Sequence, residues 1–420
     1  MQSDSPLGPF VLVVAAAAVA PLLAELTKRW RIPSVLYELA LGIVIGPQVL
    51  NWAYETDFIK ALSQIGLAFL MFMAGYDVDF ARIRGAPLNR AIGTWTISLV
   101  LGLVVTIPLV ASGFAISDLL VGLALTTTAI GTLLPMLRDR GLMTTRFGTF
   151  AFAGGTVGEF GPIVAITLLL STESPLHETV LMVAFVLVAV GAAFVAARPQ
   201  PPRIVEMLQR NLNTSSQLPV RIVVLLLVVM LYLAFSLGLD TLLGAFTAGI
   251  LARLALHRER AEGLERKLEA IGFGFLIPVF FIASGMTFDL RSLLDDPSTL
   301  ARVPLFLGLF FVVRGVPTLL TYRRHLGGAE RVSMACLMAT ALPLVVVITG
   351  IGLETGRMKA ANASALVGAG MLSVLVYPLV GFGVLDRALA KGRAEPGEAL
   401  DEAALEAGPL IADEAPFDEE

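Results

Sequence analysis

The chain has 420 residues, of which 56% are hydrophobic and only 15% are charged, and its formal net charge is −4. Soluble globular proteins carry about 25% charged residues, so this composition excludes an ordinary soluble domain and indicates a polytopic membrane protein. The sequence has no nucleotide motif, catalytic triad or basic nucleic-acid surface, so we expect neither an enzyme, nor a bound cofactor, nor a nucleic-acid partner.

Apolar runs of about 20 residues, the length that crosses a bilayer as a helix, recur along the chain. They predict an all-α polytopic membrane protein with about 13 transmembrane helices. In chain order the runs lie near 9–27, 33–50, 58–76, 88–110, 117–137, 147–170, 178–197, 219–237, 240–256, 270–287, 303–321, 332–352 and 363–385.

The basic residues fall mainly on one side of the predicted membrane. Loops after odd-numbered runs, with the segment after the last run, hold 24 of the 30 Lys and Arg residues, whereas the other loops hold five. Cytoplasmic loops carry the excess of Lys and Arg. The pattern therefore predicts an integral membrane protein with its N-terminus outside and its C-terminus in the cytoplasm, and we expect a bacterial plasma membrane.

Residues 1–393 are predicted to form the transmembrane domain, and residues 394–420 to form a separate tail. The tail is rich in Asp and Glu and contains no basic residue. Such a segment lacks the apolar content to fold alone. We predict a disordered cytoplasmic tail, with a regulatory contact as the alternative.

The fifth and twelfth runs contain residues that disfavour a continuous helix. The fifth has threonines at 126–128 followed by Gly131 and Pro135, and the twelfth has Pro343. Because these runs are seven apart, they predict two six-helix units with inverted topology, as in many secondary transporters whose broken helices mark the binding site. The alternative is that proline and glycine only kink both helices.

Glu159 is the only charged residue in the sixth run and has several glycines around it. A carboxylate at the centre of a bilayer costs about 3 kcal/mol on insertion scales and usually marks an ion or proton pathway. Such a group can hold a proton or a metal cation but not both, which is sufficient for exchange. The alternative is a structural carboxyl that stays protonated or salt-bridged.

Arg314 is a second mid-membrane charge, in the eleventh run. Buried ionisable groups in membranes tend to pair, so we expect Arg314 to compensate Glu159, with purely structural contacts as the alternative. A hard monovalent cation also needs oxygen ligands, which threonine hydroxyls could supply unless they bond back to their own helix. The candidates are Thr126, Thr127, Thr128 and Thr156.

Short motifs occur along most of the membrane part. They are residues 41–47 (LGIVIGP), 66–75 (GLAFLMFMAG), 127–130 (TTAI) with 137–142 (LRDRGL), 244–249 (GAFTAG) and 280–286 (FFIASGM). Together they resemble the monovalent cation:proton antiporter-2 family over roughly residues 35–380.

The resemblance implies an elevator-type fold embedded in membrane lipids. A mobile core, near 58–170 and 270–385, would carry the ion site, and the remaining scaffold helices would form a homodimer. The resemblance places Glu159 on the ion-binding carboxylate and Arg314 on the basic residue opposite. The family usually has Asp after a polar residue where this chain has Gly158 and Glu159.

These observations predict a secondary antiporter that exchanges Na⁺ or K⁺ for H⁺ by alternating access. Glu159 is the expected shared carrier and the residue that binds the transported metal ion. With this one carrier, the exchange is expected to be one for one and electroneutral. Two alternatives stay open: a gated K⁺ efflux pathway on the same fold, and a sodium-coupled transporter of organic solutes.

Overall fold

The computed structural model describes residues 7–27, 32–78, 83–111, 118–169, 175–196, 207, 210–211, 214–255, 258–294 and 297–391. Regular structure in these ranges is helical and includes no strand, which confirms the predicted all-α class. The helices are α1 (Leu7–Leu26), α2 (Ser34–Ile45), α3 (Asp57–Tyr76), α4 (Ala86–Ala111), α5 (Asp118–Leu125), α6 (Ile130–Asp139), α7 (Arg146–Leu169), α8 (Pro175–Ala196), α9 (Leu218–Ser236), α10 (Thr241–Ala255), α11 (Arg258–Ile271), α12 (Ile277–Met286), α13 (Leu290–Leu294), α14 (Pro297–Phe310), α15 (Val316–Thr321), α16 (Gly328–Met338), α17 (Pro343–Glu354) and α18 (Ala360–Ala390).

Many of these helices suit a bilayer. Within the described ranges, nine helical stretches are long and apolar enough to cross a membrane, and four further apolar helices are shorter. This agrees with a polytopic membrane protein, while the count of 13 spans and the inverted repeat stay predictions. The predicted acidic tail, 394–420, lies outside the described residues.

Both runs that were expected to disfavour a continuous helix are interrupted. In the fifth run α5 ends at Leu125 and α6 begins at Ile130, and in the twelfth α16 ends at Met338 and α17 begins at Pro343. Pro343 thus starts the second half-helix, where the missing N–H of proline costs nothing. Pro135 lies inside α6 instead, so the first break belongs to the threonine segment and not to this proline.

Two π-helical turns widen the helices just before prolines. Gly272–Leu276 precedes Pro278 by two residues, and Phe311–Gly315 precedes Pro317 by two residues. Proline donates no hydrogen bond, and its ring collides with the carbonyl four residues earlier. A locally wider turn relieves that collision, and the second π turn contains Arg314.

The helices pack as two groups. The first group contains α1–α3, α9, α10 and the stretch from α11 to α12, and the second contains α4–α7 and α13–α18. Helix α8 contacts α10 of the first group and α7 of the second. Helices α3 and α12, which belong to the predicted core near 58–170 and 270–385, pack in the first group. The division into core and scaffold stays a prediction.

Glycines permit the closest crossings within the first group. A Cβ atom on Gly249 of α10 would lie 2.0 Å from the Phe72 carbonyl oxygen of α3, and one on Gly75 of α3 would lie 2.0 Å from the Phe246 carbonyl oxygen of α10. Small residues let helix backbones approach in membranes, where packing rather than the hydrophobic effect drives association. These two reciprocal contacts fix α3 on α10.

We expect Gly249→Ala to lower the stability of the purified protein by about 1–3 kcal/mol, because the added methyl overpacks the crossing. The matched control is Gly93→Ala in α4, where an added Cβ meets nothing within 4 Å. Thermal unfolding monitored by size-exclusion chromatography measures both variants. Equal transition temperatures for the two variants would contradict the proposed contact.

Candidate functional site

The two interruptions lie against each other. The N–H of Ala129 donates to the carbonyl of Thr340 at 2.8 Å, and the N–H of Ala341 donates to the Ser373 hydroxyl of α18 at 2.9 Å. A buried backbone group without a partner costs about as much free energy as a lost hydrogen bond. Each interruption is therefore satisfied by groups outside its own helix, which joins the fifth and twelfth runs at one point.

Glu159 lies in the middle of α7 and points at this crossing. Glu159 is 2% exposed, and its carboxylate faces the backbone N–H groups of Ile130 and Gly131. These are the first residues of α6, and the N-terminus of a helix favours negative charge. The other oxygen, Oε2, has no hydrogen-bond partner within the described ranges.

A cavity of about 890 Å³ reaches Glu159. It lies between the two groups of helices, and both groups contribute polar or charged residues to its wall. Those residues include Glu38 and Asp77 from the first group and Thr132 and Arg140 from the second, while Gly131 and Pro343 line it near the breaks.

The acids on the first group's side of the cavity favour a cation. Asp77 directly follows the last residue of the α3 span, and its charge acts on Glu159 across the cavity. Burial raises the pKa of Asp77 to about 7, and the guanidinium of Arg138 opposes this shift. Glu38 of α2 is almost fully buried and accepts a hydrogen bond from Ser34.

An ion pair lies on the cavity wall between α6 and the end of α18. Nη1 of Arg140 is 2.7 Å from Oδ1 and 2.9 Å from Oδ2 of Asp386. The Arg140 guanidinium also lies 4.2 Å from the ring centroid of Phe382. Both partners belong to the second group, so the pair ties α6 to α18 and leaves the space between the groups open.

Arg314 is 2% exposed, and within the described ranges its hydrogen bonds go to neutral groups. Its Nε and Nη2 donate to Thr128 Oγ1 at 2.9 and 2.8 Å. Nη2 also donates to the Gly154 carbonyl at 3.2 Å, and Nη1 to Ser98 Oγ at 3.5 Å. No ion pair joins Arg314 to Glu159, although the structure describes both, so the expected direct pairing does not form.

Gly158 has a physical explanation in this arrangement. A Cβ atom on Gly158 would lie 2.4 Å from Arg314 Nη2 and 2.6 Å from Thr128 Oγ1. The guanidinium thus occupies the space that a side chain at position 158 would need. The chain has no polar side chain before Glu159 because Arg314 fills that place.

Among the predicted threonine ligands, Thr128 holds the crossing together. Its hydroxyl donates to the Met338 carbonyl at 2.6 Å while accepting two hydrogen bonds from Arg314. Its N–H donates to the Gly158 carbonyl at 3.0 Å. Thr128 therefore connects α7, the end of α16 and the π turn, and its hydroxyl is already fully engaged.

The other predicted threonines do not line the cavity. The hydroxyls of Thr126 and Thr127 donate to the carbonyls of Leu123 and Ala124, each at 2.8 Å. This is the bond back to the same helix that was the alternative for these residues. Thr156 is buried and is also absent from the cavity wall.

Several residues of the site escaped the sequence reasoning. Asp77 lies just outside the third apolar run, near 58–76, and Glu38 lies close to the start of the second, near 33–50. The position of Asp77 two residues after the 66–75 motif was the available signal for it. Thr132, Ser98 and Ser373 are small polar residues in apolar runs, and no sequence signal separates them from similar residues that face lipid.

A sequence profile described as "Sodium/hydrogen exchanger, transmembrane" matches residues 14–387. The chain belongs to this family. The match confirms the resemblance carried by the motifs, including those at 127–130 and 244–249.

Curated relatives in the exchanger family are 25–28% identical to the chain over long alignments. The Na(+)/H(+)-K(+) antiporter GerN of Bacillus cereus is 27% identical over 88% of this chain and 95% of its own length. The putative Na(+)/H(+) antiporter YjbQ of Bacillus subtilis is 25% identical over 90% of this chain. The chain spans 63% of the length of YjbQ.

A third relative is named for a different function. The glutathione-regulated potassium-efflux system protein KefC of Escherichia coli is 27% identical over 90% of this chain, which covers 60% of KefC. Similarity at this level is therefore shared between antiporters and a potassium-efflux protein.

We expect Thr128→Val to destabilise the protein by about 1–3 kcal/mol or more, because it leaves donors of Arg314 and the Met338 carbonyl buried without a partner. Thr127→Val is the matched control, since its hydroxyl bonds only to its own helix. Thermal unfolding of both variants checks the difference. A smaller loss for Thr128→Val than for Thr127→Val would contradict the bridging role.

Proposed function

We propose that the protein is a secondary antiporter that exchanges Na⁺ or K⁺ for H⁺ by alternating access, with Glu159 as the shared carrier. Two findings support this class: membership of the exchanger family, and the similarity to the Na(+)/H(+)-K(+) antiporter GerN, which aligns over most of both chains. The proposal includes no bound cofactor, and the cations and protons are substrates.

The observation that carries the proposal is the free oxygen of Glu159 at the inner end of the cavity. One side of the carboxylate is held by the N-terminus of α6, while Oε2 is buried without a partner. Buried polar atoms are almost always satisfied. Either a proton on Oε2 or a cation that enters through the cavity would give this oxygen a partner. The two cannot bind at the same time.

The charges near the carrier support a one-for-one, electroneutral exchange. Arg314 keeps its proton at any working pH, and its donors are committed to Thr128, Ser98 and Gly154. Arg314 can compensate charge from this position but cannot shuttle protons. Glu159 is then the only carrier, and it crosses the membrane neutralised by either substrate.

We further propose that the second group is the mobile unit and the first group the scaffold. The second group holds both interruptions, Glu159 and Arg314, and the cavity lies between it and the first group, which it contacts through α7 and α10. Displacement of the second group along the first would close this cavity and open the opposite side. This assignment replaces the predicted core near 58–170 and 270–385, since α3 and α12 pack in the first group.

The basic loops support an orientation for this state. Arg140 and Asp386 line the cavity next to segments that the distribution of Lys and Arg places in the cytoplasm, so the cavity would open to the cytoplasm. Exposed apolar side chains on α1 and α9 of the first group, such as Leu22, Leu225 and Tyr232, suit lipid or a second copy in a homodimer. A bacterial plasma membrane with the N-terminus outside fits this arrangement.

A gated K⁺ efflux pathway is the second candidate, and the similarity to KefC favours it. The two functions differ in rate, because alternating access needs a slow domain movement in each cycle. A flux well above about 10³ ions per second would favour the pathway over the antiporter.

We expect the full chain in liposomes to dissipate a pH gradient when Na⁺ or K⁺ is added, and Glu159→Gln to abolish this exchange. Gln cannot bind and release a proton in this pH range, so the shared carrier is lost. Glu354→Gln, at an exposed acid at the end of α17, is the control and should exchange like the original protein. Li⁺ and Rb⁺ added in turn give the selectivity.

Exchange that persists in Glu159→Gln would overturn the proposed carrier. An exchange rate that follows an imposed membrane potential would overturn the electroneutral stoichiometry alone, because a cycle without net charge movement has no voltage dependence.

We expect Asp77→Asn to raise the KM for the transported cation several-fold at low ionic strength while leaving exchange measurable. Loss of a cavity carboxylate weakens the local attraction of cations. The effect should shrink at high salt as screening increases. An unchanged KM at low ionic strength would contradict a role of Asp77 in attracting cations.

A further inference from the structure

The place of Arg314 depends on an unusual piece of helix. Arg314 is the fourth residue of the π turn Phe311–Gly315, and the N–H of Val316 bonds to the Phe311 carbonyl five residues earlier. A π turn changes the rotation per residue, and such turns often occur at functional sites. The direction of the Arg314 side chain therefore depends on whether this turn is π-helical or α-helical.

Tyr377 of α18 touches the helix just before this turn. Tyr377 is 8% exposed, and its hydroxyl donates to the carbonyl of Leu307. In an α-helix this carbonyl also accepts from the N–H four residues later, which here belongs to Phe311, the first residue of the turn. The Tyr377 hydroxyl thus bonds to the carbonyl that normally pairs with the start of the turn, and side chains that insert into the helical ladder are a known cause of helix distortion.

We propose that Tyr377 is a positioning residue, which holds the π turn Phe311–Gly315 and thereby the Arg314 guanidinium against Thr128 and Gly154. Tyr377 touches neither Glu159 nor the cavity, so it would act only through Arg314. The part of this inference that is tested by transport rests on the proposed exchange.

Other contacts fix the turn from its far side. The Thr318 hydroxyl donates to the Arg314 carbonyl at 2.7 Å. A Cβ atom on Gly315 would lie 2.9 Å from the Phe311 ring and 3.2 Å from the Ala335 carbonyl oxygen. The turn is thus held against α16 at its end, and the Tyr377 hydroxyl sets its beginning.

The Tyr377 ring also packs on the turn. Its centroid lies 6.0 Å from that of Phe311, with the two planes tilted by 39°. Tyr377→Phe keeps this ring contact and removes only the hydroxyl. The Leu307 carbonyl is then left to its own helix, and we expect the turn to move toward α-helical geometry and Arg314 to move away from Thr128.

The test compares Tyr377→Phe with Tyr37→Phe in the full chain. Tyr37 of α2 also uses its hydroxyl in a hydrogen bond, to Thr27, but lies in the first group. In liposomes we expect Tyr377→Phe to lower kcat about fivefold or more and to shift the pH profile, whereas Tyr37→Phe stays within about twofold of the original protein. The effect should not add to that of Arg314→Lys, because both changes act on one element.

An experimental structure of Tyr377→Phe gives a second readout that does not depend on transport. We expect the π turn to move toward α-helical geometry and the Arg314 contacts with Thr128 to change. An unchanged π turn, or effects of Tyr377→Phe and Arg314→Lys that simply add, would overturn the inference. If the original protein shows no exchange, the proposed function fails while the structural readout still decides the role of Tyr377.

Discussion

The contact between the two interrupted runs is the constraint on which the site depends. A helix that stops inside a bilayer exposes backbone groups that cost several kcal/mol each when they stay unpaired. Here the breaks pair with each other through Ala129 and Thr340, and Thr128 adds a side-chain link to the end of α16. The same crossing presents the N-terminus of α6 to Glu159. The pairing of the backbone groups at the breaks therefore also creates a site for a carboxylate.

The two buried charges are satisfied separately, and the proposed exchange depends on this separation. Arg314 is surrounded by neutral oxygen atoms, whereas Glu159 faces the N–H groups of α6. In the proposed mechanism a direct ion pair would use the carboxylate oxygen that a cation or proton needs, and the substrate would then have to displace a guanidinium. Gly158 is part of this arrangement, since only a residue without a side chain leaves room for Arg314 beside α7.

The sequence predicted the charged residues and the interruptions better than it predicted their partners. Glu159 and Arg314 stand out because a charge in an apolar run is costly wherever that run lies in the membrane. Thr126, Thr127 and Thr128 are alike in sequence, yet only Thr128 bonds to Arg314, because α5 ends at Leu125 and the first two hydroxyls bond back to its last turn. The sequence of the run near 58–76 likewise did not show that this run packs on α10. The need for glycine is evident only where a backbone carbonyl of the neighbouring helix leaves no room for a side chain.

By itself, the sequence determined the membrane environment, the helical class, the positions of the breaks and the identity of the buried carboxylate. These follow from free energies of transfer and backbone preferences that each segment has on its own. Only the tertiary structure decided that Arg314 meets Thr128, 186 residues earlier in the chain, that the cavity reaches Glu159 between two groups of helices, and that Tyr377 contacts the π turn. Contacts of this kind depend on the rotation and depth of helices packed from distant parts of the chain, and no local pattern specifies them.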